Sequence, residues 1–440
     1  MTRITNVVPF ILLALFSVIG IFTPLFADFD GSKVYNFADI SWMLISSALV
    51  LLMTPGLSFF YGGMVGKKNV LSTMLQSFIA TGIISILWIV CGFSLAFGTS
   101  IHGFIGDPSS FFMMKGINSH EPWKLAPTIP ILLFALFQMK FAIITPALVV
   151  GATAERIRFK AYVLFMVLFS LLIYSPIAHW NWHPEGFLAT WGVIDFAGGT
   201  VVHISAGCAA LAGAIFLKRR RVHIAREEVK PARIPYVLLG TGLLWFGWFG
   251  FNAGSALAAN GLAVDAFANT NTASAAAGLS WIFFDVVRGR KPTSLGFCIG
   301  AVVGLVAITP ASGYVGVPQS IFIGFIAAIC SNIAVFWRGK TTVDDTLDVF
   351  PCHGIGGIVG MICTGIFASK KINPSIGSDG LLYGGTEFFL HQVAGCFIVV
   401  VFSIIMGFIL FKIVDMIVPL RVSPEEEEAG LDITQHLEKL

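Results

Sequence analysis

A chain of 440 residues that is 56% hydrophobic and only 12% charged, with a formal net charge of +3, does not read as a water-soluble globule, whose composition averages about 25% charged and 45–50% apolar residues. The same numbers exclude a disordered chain, a collagen and a disulfide scaffold, and the charge is too small to suggest nucleic-acid binding. What remains is an all-α polytopic membrane protein, and the 46 glycines suit membrane helices packed at close range. The seven cysteines lie within or beside apolar segments and lack metal-ligand spacing, so they predict buried packing, with neither a disulfide framework nor a metal site.

Residues 1–27 have the pattern of a signal peptide: basic Arg3, an apolar core from Val7 to Leu25, and Ala27 before a cleavage point. An uncleaved extra span is the competing reading. Apolar stretches long enough to cross a bilayer then follow near 40–62, 69–98, 125–151, 160–180, 196–218, 234–252, 262–287, 294–310, 317–337, 353–369 and 386–418. Eleven transmembrane helices are therefore expected, with no soluble domain between them and a short tail at 421–440.

Alternate loops between the expected spans carry 17 of the 27 basic residues, including Lys67, Lys68, Arg156, Arg158, Arg219, Arg220, Arg221, Arg288 and Arg290. The opposite loops hold only Lys115, Lys124, Lys370 and Lys371. The basic side is expected to be cytoplasmic, which puts the mature N-terminus outside and the C-terminus inside. Ile144-Thr145-Pro146-Ala147 recurs as Ile308-Thr309-Pro310-Ala311, and a histidine opens or enters both the fifth span (His203) and the tenth (His353). Repetition of spans 1–5 onto 6–10 is necessarily inverted, because five is odd, and inverted repeats place a substrate path between the halves.

Ionisable groups inside spans are costly and need a reason. His203 and His353 each offer one donor and one acceptor when neutral, so they could bond to each other and still touch a solute, or be two unrelated core histidines. Asp195, ahead of Phe-Ala-Gly-Gly, fits an N-cap and also a negative charge near an outer vestibule. Aromatics gather in Trp180-Asn-Trp182-His183 and in Trp245 to Phe251, followed by Ser255, while Phe137 and Phe141 stand four residues apart. An interfacial aromatic belt explains them, and so does a site where ring faces attract a cation that is losing water. Composition does not choose between the two.

With these residues in view, the sequence resembles the ammonium transporter (Amt/MEP/Rh) family, the bacterial Amt branch in particular. The resemblance rests on Phe60-Tyr-Gly-Gly63, Gly151 to Phe159, Asp195 to His203, Gly247 to Ser255 and Asp348 to Gly360, in that order, and spans roughly residues 38–435. It implies that Phe141, Trp182 and Ser255 bind ammonium at an outer site, that Phe141 and Phe251 form a stacked gate, and that His203 and His353 line a hydrophobic pore. Phe137, Trp248 and Phe60 resemble further pore or gate aromatics, and Asp195 matches an aspartate near the outer site. The resemblance also implies a homotrimer with one pore per subunit in the inner membrane, and a possible PII-type regulatory protein at the cytoplasmic face. No nucleophile–base pair, phosphate loop or cofactor fingerprint suggests an enzyme. Transport of ammonium, with ammonia conducted and any proton moved separately, is the expected activity; the alternatives are an ammonium sensor and an Rh-like neutral gas channel, the latter disfavoured by the joint presence of Trp182 and Ser255.

Two features depart from the family pattern. The loop after Trp182 is one residue longer, and Lys140 stands beside the gate where small residues are usual. Lys140 is expected near mid-bilayer, turned away from the pore toward a neighbouring helix or a subunit interface, and there either neutralised by an acidic or carbonyl partner or held with a lowered pKa. The run Glu425 to Glu428 reads most simply as a solvated acidic stretch, although Arg421-Val-Ser-Pro before it and Gly430-Leu-Asp after it resemble a family tail that couples subunits.

Overall fold

A computed structural model describes residues 4–22, 35–227 and 229–440. Residues 4–22 form helix α1 (Ile4–Phe22) with exposed apolar side chains such as Phe10 and Ile21. The expected cleavage point at Ala27 lies outside the described residues.

Among the described residues, nine helices are long and apolar enough to cross a membrane. They are α2 (Phe37–Met64), α3 (Lys67–Phe97), α4 (Ile131–Thr153), α5 (Phe159–Thr190), α6 (Gly199–Leu217), α7 (Ile234–Ala256), α10 (Val317–Arg338), α11 (Phe350–Phe367) and α12 (Thr386–Ile417). The seventh and eighth expected segments are helical too, as α8 (Gly261–Val287, 27 residues) and the shorter α9 (Ser294–Ile308, 15 residues). The third segment starts later than the hydropathy predicts. Ala126–Pro130 is a strand paired antiparallel to Pro122–Trp123, and the helix begins only at Ile131. Two prolines, Pro127 and Pro130, deny that stretch the N–H groups that a helix interior requires.

Small residues let the helices approach closely. On the α2–α7 seam, a Cβ placed on Gly240 would come within 2.4 Å of Phe60 N, so the two backbones touch where only glycine fits. Polar side chains in the spans bond locally, as the membrane requires: Thr145 donates to Phe141 O (2.6 Å) and Thr309 to Leu305 O (2.7 Å), the same i−4 bond in both copies of the Ile-Thr-Pro-Ala motif.

After Ile417 the chain turns back and docks on the bundle. Ser423 and Glu426 form a capping box that starts α13 (Pro424–Ala429), and α14 (Leu431–His436) follows. Glu427 is buried between Arg421 (2.8 Å) and the Arg221 backbone N–H (2.7 Å), and Glu426 pairs with Arg158 (3.0 Å). Beyond it, Asn69 Oδ1 accepts from Leu431 N (2.9 Å) and Asp432 Oδ1 from Ser72 N (2.8 Å). The acidic run is therefore not simply solvated; half of it is structural.

Candidate functional site

The site begins at Asp195. Its carboxylate is 5% exposed and accepts from Gly198 N (2.8 Å), Gly199 N (2.7 Å), Thr200 N (2.8 Å), Val201 N (3.4 Å) and the Thr200 hydroxyl. Those are the free N–H groups at the start of α6, so the capping reading holds, and the negative charge suits the positive end of the helix. Gly198 takes φ +112°, a conformation open to glycine, to make the turn into the helix. The carbonyl of the same Asp195 accepts from Trp182 Nε1 (2.9 Å). One residue thus fixes both the helix that carries His203 and the orientation of the Trp182 ring.

Trp182 faces a recess of about 420 Å³ lined by Leu125, Phe134, Gln138, Phe141, Trp182, Phe196, Ser255 and Leu257. The Phe141 ring meets Trp182 edge to face at 5.8 Å and lies against Phe251 with centroids 4.2 Å apart. Ser255 closes α7 and donates its hydroxyl to Phe251 O (2.8 Å), which leaves the oxygen's lone pairs for a donor in the recess. Phe137 packs on Phe141 at 4.9 Å but lines neither the recess nor the cavities below it.

Beyond the Phe141–Phe251 pair lies an apolar cavity bounded by Phe60, Ile144, His203, Trp248, Phe251 and His353, among others. His203 Nδ1 and His353 Nδ1 stand 3.3 Å apart, so one ring donates and the other accepts. Both are almost fully buried, and His203 Nε2 has no hydrogen-bond partner. Trp248 stacks over His203 at 5.3 Å and is held by its Nε1 bond to Thr309 Oγ1 (2.9 Å). The close approach of the histidines depends on a glycine pair, Gly207 one turn after His203 and Gly354 next to His353: a Cβ on Gly207 would lie 2.3 Å from Gly354 N. His353 and Phe60 also line a further small cavity on the tail side, with Tyr61, Leu347 and Cys352.

The second histidine helix starts at the opposite face. Its cap is Asp345, which accepts from Val349 N (3.0 Å) and Phe350 N (2.8 Å). Asp348, the residue that opens the sequence motif around His353, instead pairs with Arg338 at 2.8 Å. Asp345 precedes His353 by eight residues, the same interval as Asp195 before His203. That equal spacing was the available signal for Asp345. Gln138 was missed as well; its signal is a polar residue in register with Phe134 and Phe141, at i+4 and i+7 on one helix face.

Lys140 lines none of these cavities. It lies about 200° around the helix from Gln138, half-buried, and its nearest hydrogen-bonding partner is Met139 Sδ at 3.6 Å. Of the two expected surroundings, an acidic or carbonyl partner is therefore not the one it meets.

Buried ion pairs cluster on the tail side. Arg220 grips Asp344 through Nε (2.9 Å) and Nη2 (2.8 Å) and reaches Glu155 (2.6 Å). Burial alone would raise the Asp344 carboxyl, but the Arg220 fork holds it well below the usual carboxylate range. Burial pushes the Asp348 carboxyl up to about 7 against the pull of Arg338, and lowers the fully buried Arg156 to about 10.

Comparison with known proteins places the chain in a family. The model of the Ammonium Transporter Family matches residues 41–439. An ammonium transporter of Aquifex aeolicus is 45% identical over 428 residues, covering 96% of this chain and 98% of its own. One of Bacillus subtilis is 47% identical over 404 residues, covering 91% and 98%. Among solved structures, Saccharomyces cerevisiae Mep2 superposes with a TM-score of 0.84 at 35% identity, covering 89% of each chain. A protein described as a Sensor Amt Protein does so at 0.82 and 31% identity, covering 91% of this chain and 98% of that one.

Proposed function

Since the chain belongs to the ammonium transporter family and is a multi-pass membrane protein, we propose that it recruits ammonium at the Trp182 recess and conducts ammonia past His203 and His353. The observation that carries this reading is the continuity of the route: recess, paired phenylalanines, then an apolar cavity ending at two bonded imidazoles. In the recess, the faces of Trp182 and Phe141 and the Ser255 oxygen offset part of the cost of stripping water from a cation. The Phe141–Phe251 pair then presents hydrocarbon, which an ion crosses at far greater cost than a neutral molecule. The histidine pair supplies the polar contacts along the apolar path, and any proton moves separately. Asp195 contributes field and position and does not ligate the ion, because both its oxygens are occupied by α6.

In this reading α2 to α12 are eleven spans, related as inverted repeats of five and five, and the chain works as a homotrimer in the inner membrane with the recess outside. The two histidine helices, capped by aspartates at equal spacing and entering from opposite faces, support the repeat. The basic loops and the docked tail mark the cytoplasmic side, where a PII-type protein would bind; the N-terminal segment 1–27 is a signal peptide. A sensing role is the second reading, favoured by the likeness to the Sensor Amt Protein.

The test is ammonium flux into proteoliposomes with current recorded in parallel. Trp182→Leu and Ser255→Ala are expected to raise KM several-fold while flux at saturating ammonium is largely kept. An equal loss at all concentrations, with normal protein levels, refutes an entrance site. Saturable binding without flux favours the sensor.

A further inference from the structure

The recess contains one polar side chain that the proposed route does not use. Gln138 is 8% exposed and lines the recess beside Phe141, Trp182 and Ser255. Its Oε1 is buried and has no hydrogen-bond partner. A partnerless amide is a costly choice for an otherwise apolar helix face, since its buried oxygen has given up water without gaining a bond. Leucine would fill the space between Phe134 and Phe141 without that cost. An unsatisfied acceptor held in a recess points to a ligand that donates.

We propose that Gln138 is a substrate-positioning residue: its amide oxygen accepts a hydrogen bond from the ammonium ion in the recess, opposite the Ser255 oxygen. Ammonium has four N–H donors and no acceptor. Trp182 and Phe141 offer ring faces, and Ser255 offers one oxygen because its own proton is spent on Phe251 O. That leaves a donor for Gln138. The terminal torsion of glutamine is broad, so the amide turns its oxygen toward the recess without leaving its rotamer. Its backbone position is fixed by the same helix that carries Phe141, so the ion is held against the gate and not merely near it.

This inference rests on the transporter reading, and the experiment separates the two. Ammonium flux is measured over a wide concentration range in proteoliposomes containing the full chain, for wild type, Gln138→Leu, Gln138→Glu and Trp182→Leu. Gln138→Leu is expected to raise KM about tenfold, the loss of one hydrogen bond to a charged group, with flux at saturation nearly unchanged. Gln138→Glu keeps the acceptor and adds charge, so its KM is expected to fall below wild type. An unchanged KM in Gln138→Leu alongside a raised one in Trp182→Leu overturns the Gln138 assignment and leaves the transporter reading standing. A KM in Gln138→Glu as high as in Gln138→Leu overturns it too. Absence of wild-type flux takes both readings down together.

Discussion

Replacing Asp195 separates its structural work from its charge. In Asp195→Ala, the N–H groups of Gly198, Gly199 and Thr200 lose partners at 2.7–2.8 Å, and the Thr200 hydroxyl loses its own. All sit in a buried turn. Hydrogen bonds to a charged acceptor contribute roughly 1.5–3 kcal/mol each, and neither water nor lipid replaces them there. Allowing for relaxation of the turn, a total loss of about 4–6 kcal/mol follows. In Asp195→Asn one oxygen survives. It serves either the Gly198–Gly199 pair or the Thr200 pair, while the new NH2 faces donors, so about half of that loss is expected. The assay is thermal unfolding of the detergent-solubilised protein beside ammonium flux. Flux should fall with both variants, because the turn also sets Trp182 through the Asp195 carbonyl (2.9 Å) and His203 through α6. An Asp195→Ala protein with wild-type thermal stability and no flux would refute this reasoning. Asp195 would then act through its charge alone.

His353→Ala removes one of two bonded rings and leaves His203 with neither Nδ1 nor Nε2 partnered; transport rate or selectivity for ammonium over potassium should change, with assembly on size-exclusion chromatography unaltered, and an unchanged profile would argue against a shared role. On the tail, His436 Nε2 meets Ser72 Oγ at 3.1 Å, and burial lowers its pKa from the usual 6.5. A depressed histidine favours the docked state above its unfolded pKa and ceases to do so as pH falls through and below 6.5. Protease cleavage within 421–440 should therefore rise between pH 8 and pH 5.5, and His436→Gln should flatten that dependence.

Much of this was legible because membrane chemistry forbids casual polar residues. Two histidines and an aspartate in apolar surroundings stood out, and the structure joins His203 to His353 across 150 residues of sequence. The Phe141–Phe251 contact followed from resemblance, not from periodicity, since helices α4 and α7 are rich in aromatics on several faces. Ala126–Pro130 is read as helix because Ala126 and Ile129 run without a charged break into the apolar helix that follows; Pro127 and Pro130 argue otherwise. The docking of the tail was not legible for another reason. A run of glutamates looks solvated until its partners are known, and Arg158, Arg221 and Asn69 lie more than 200 residues away. Helical angle turns Lys140 away from Gln138 and the three cavities, but its surroundings do not follow from angle alone.

The equal spacing of Asp195–His203 and Asp345–His353 also explains why the centre of the route can be apolar without being electrostatically hostile. Each histidine sits near the start of a helix whose first turn is π-helical, Gly199–Ile204 in one case and Phe350–Ile355 in the other. Helix N-termini carry about half a positive charge apiece, and two of them converge on this cavity from opposite faces. Left bare, they would repel a cation in the recess and raise the energy of any protonated imidazole. The buried carboxylates of Asp195 and Asp345 each accept at least two of the exposed N–H groups and place a negative charge behind them. With those N–H groups taken by carboxylates that stand outside the cavity, its lining is hydrocarbon and imidazole ring, and His203 Nε2 stays buried and unpaired.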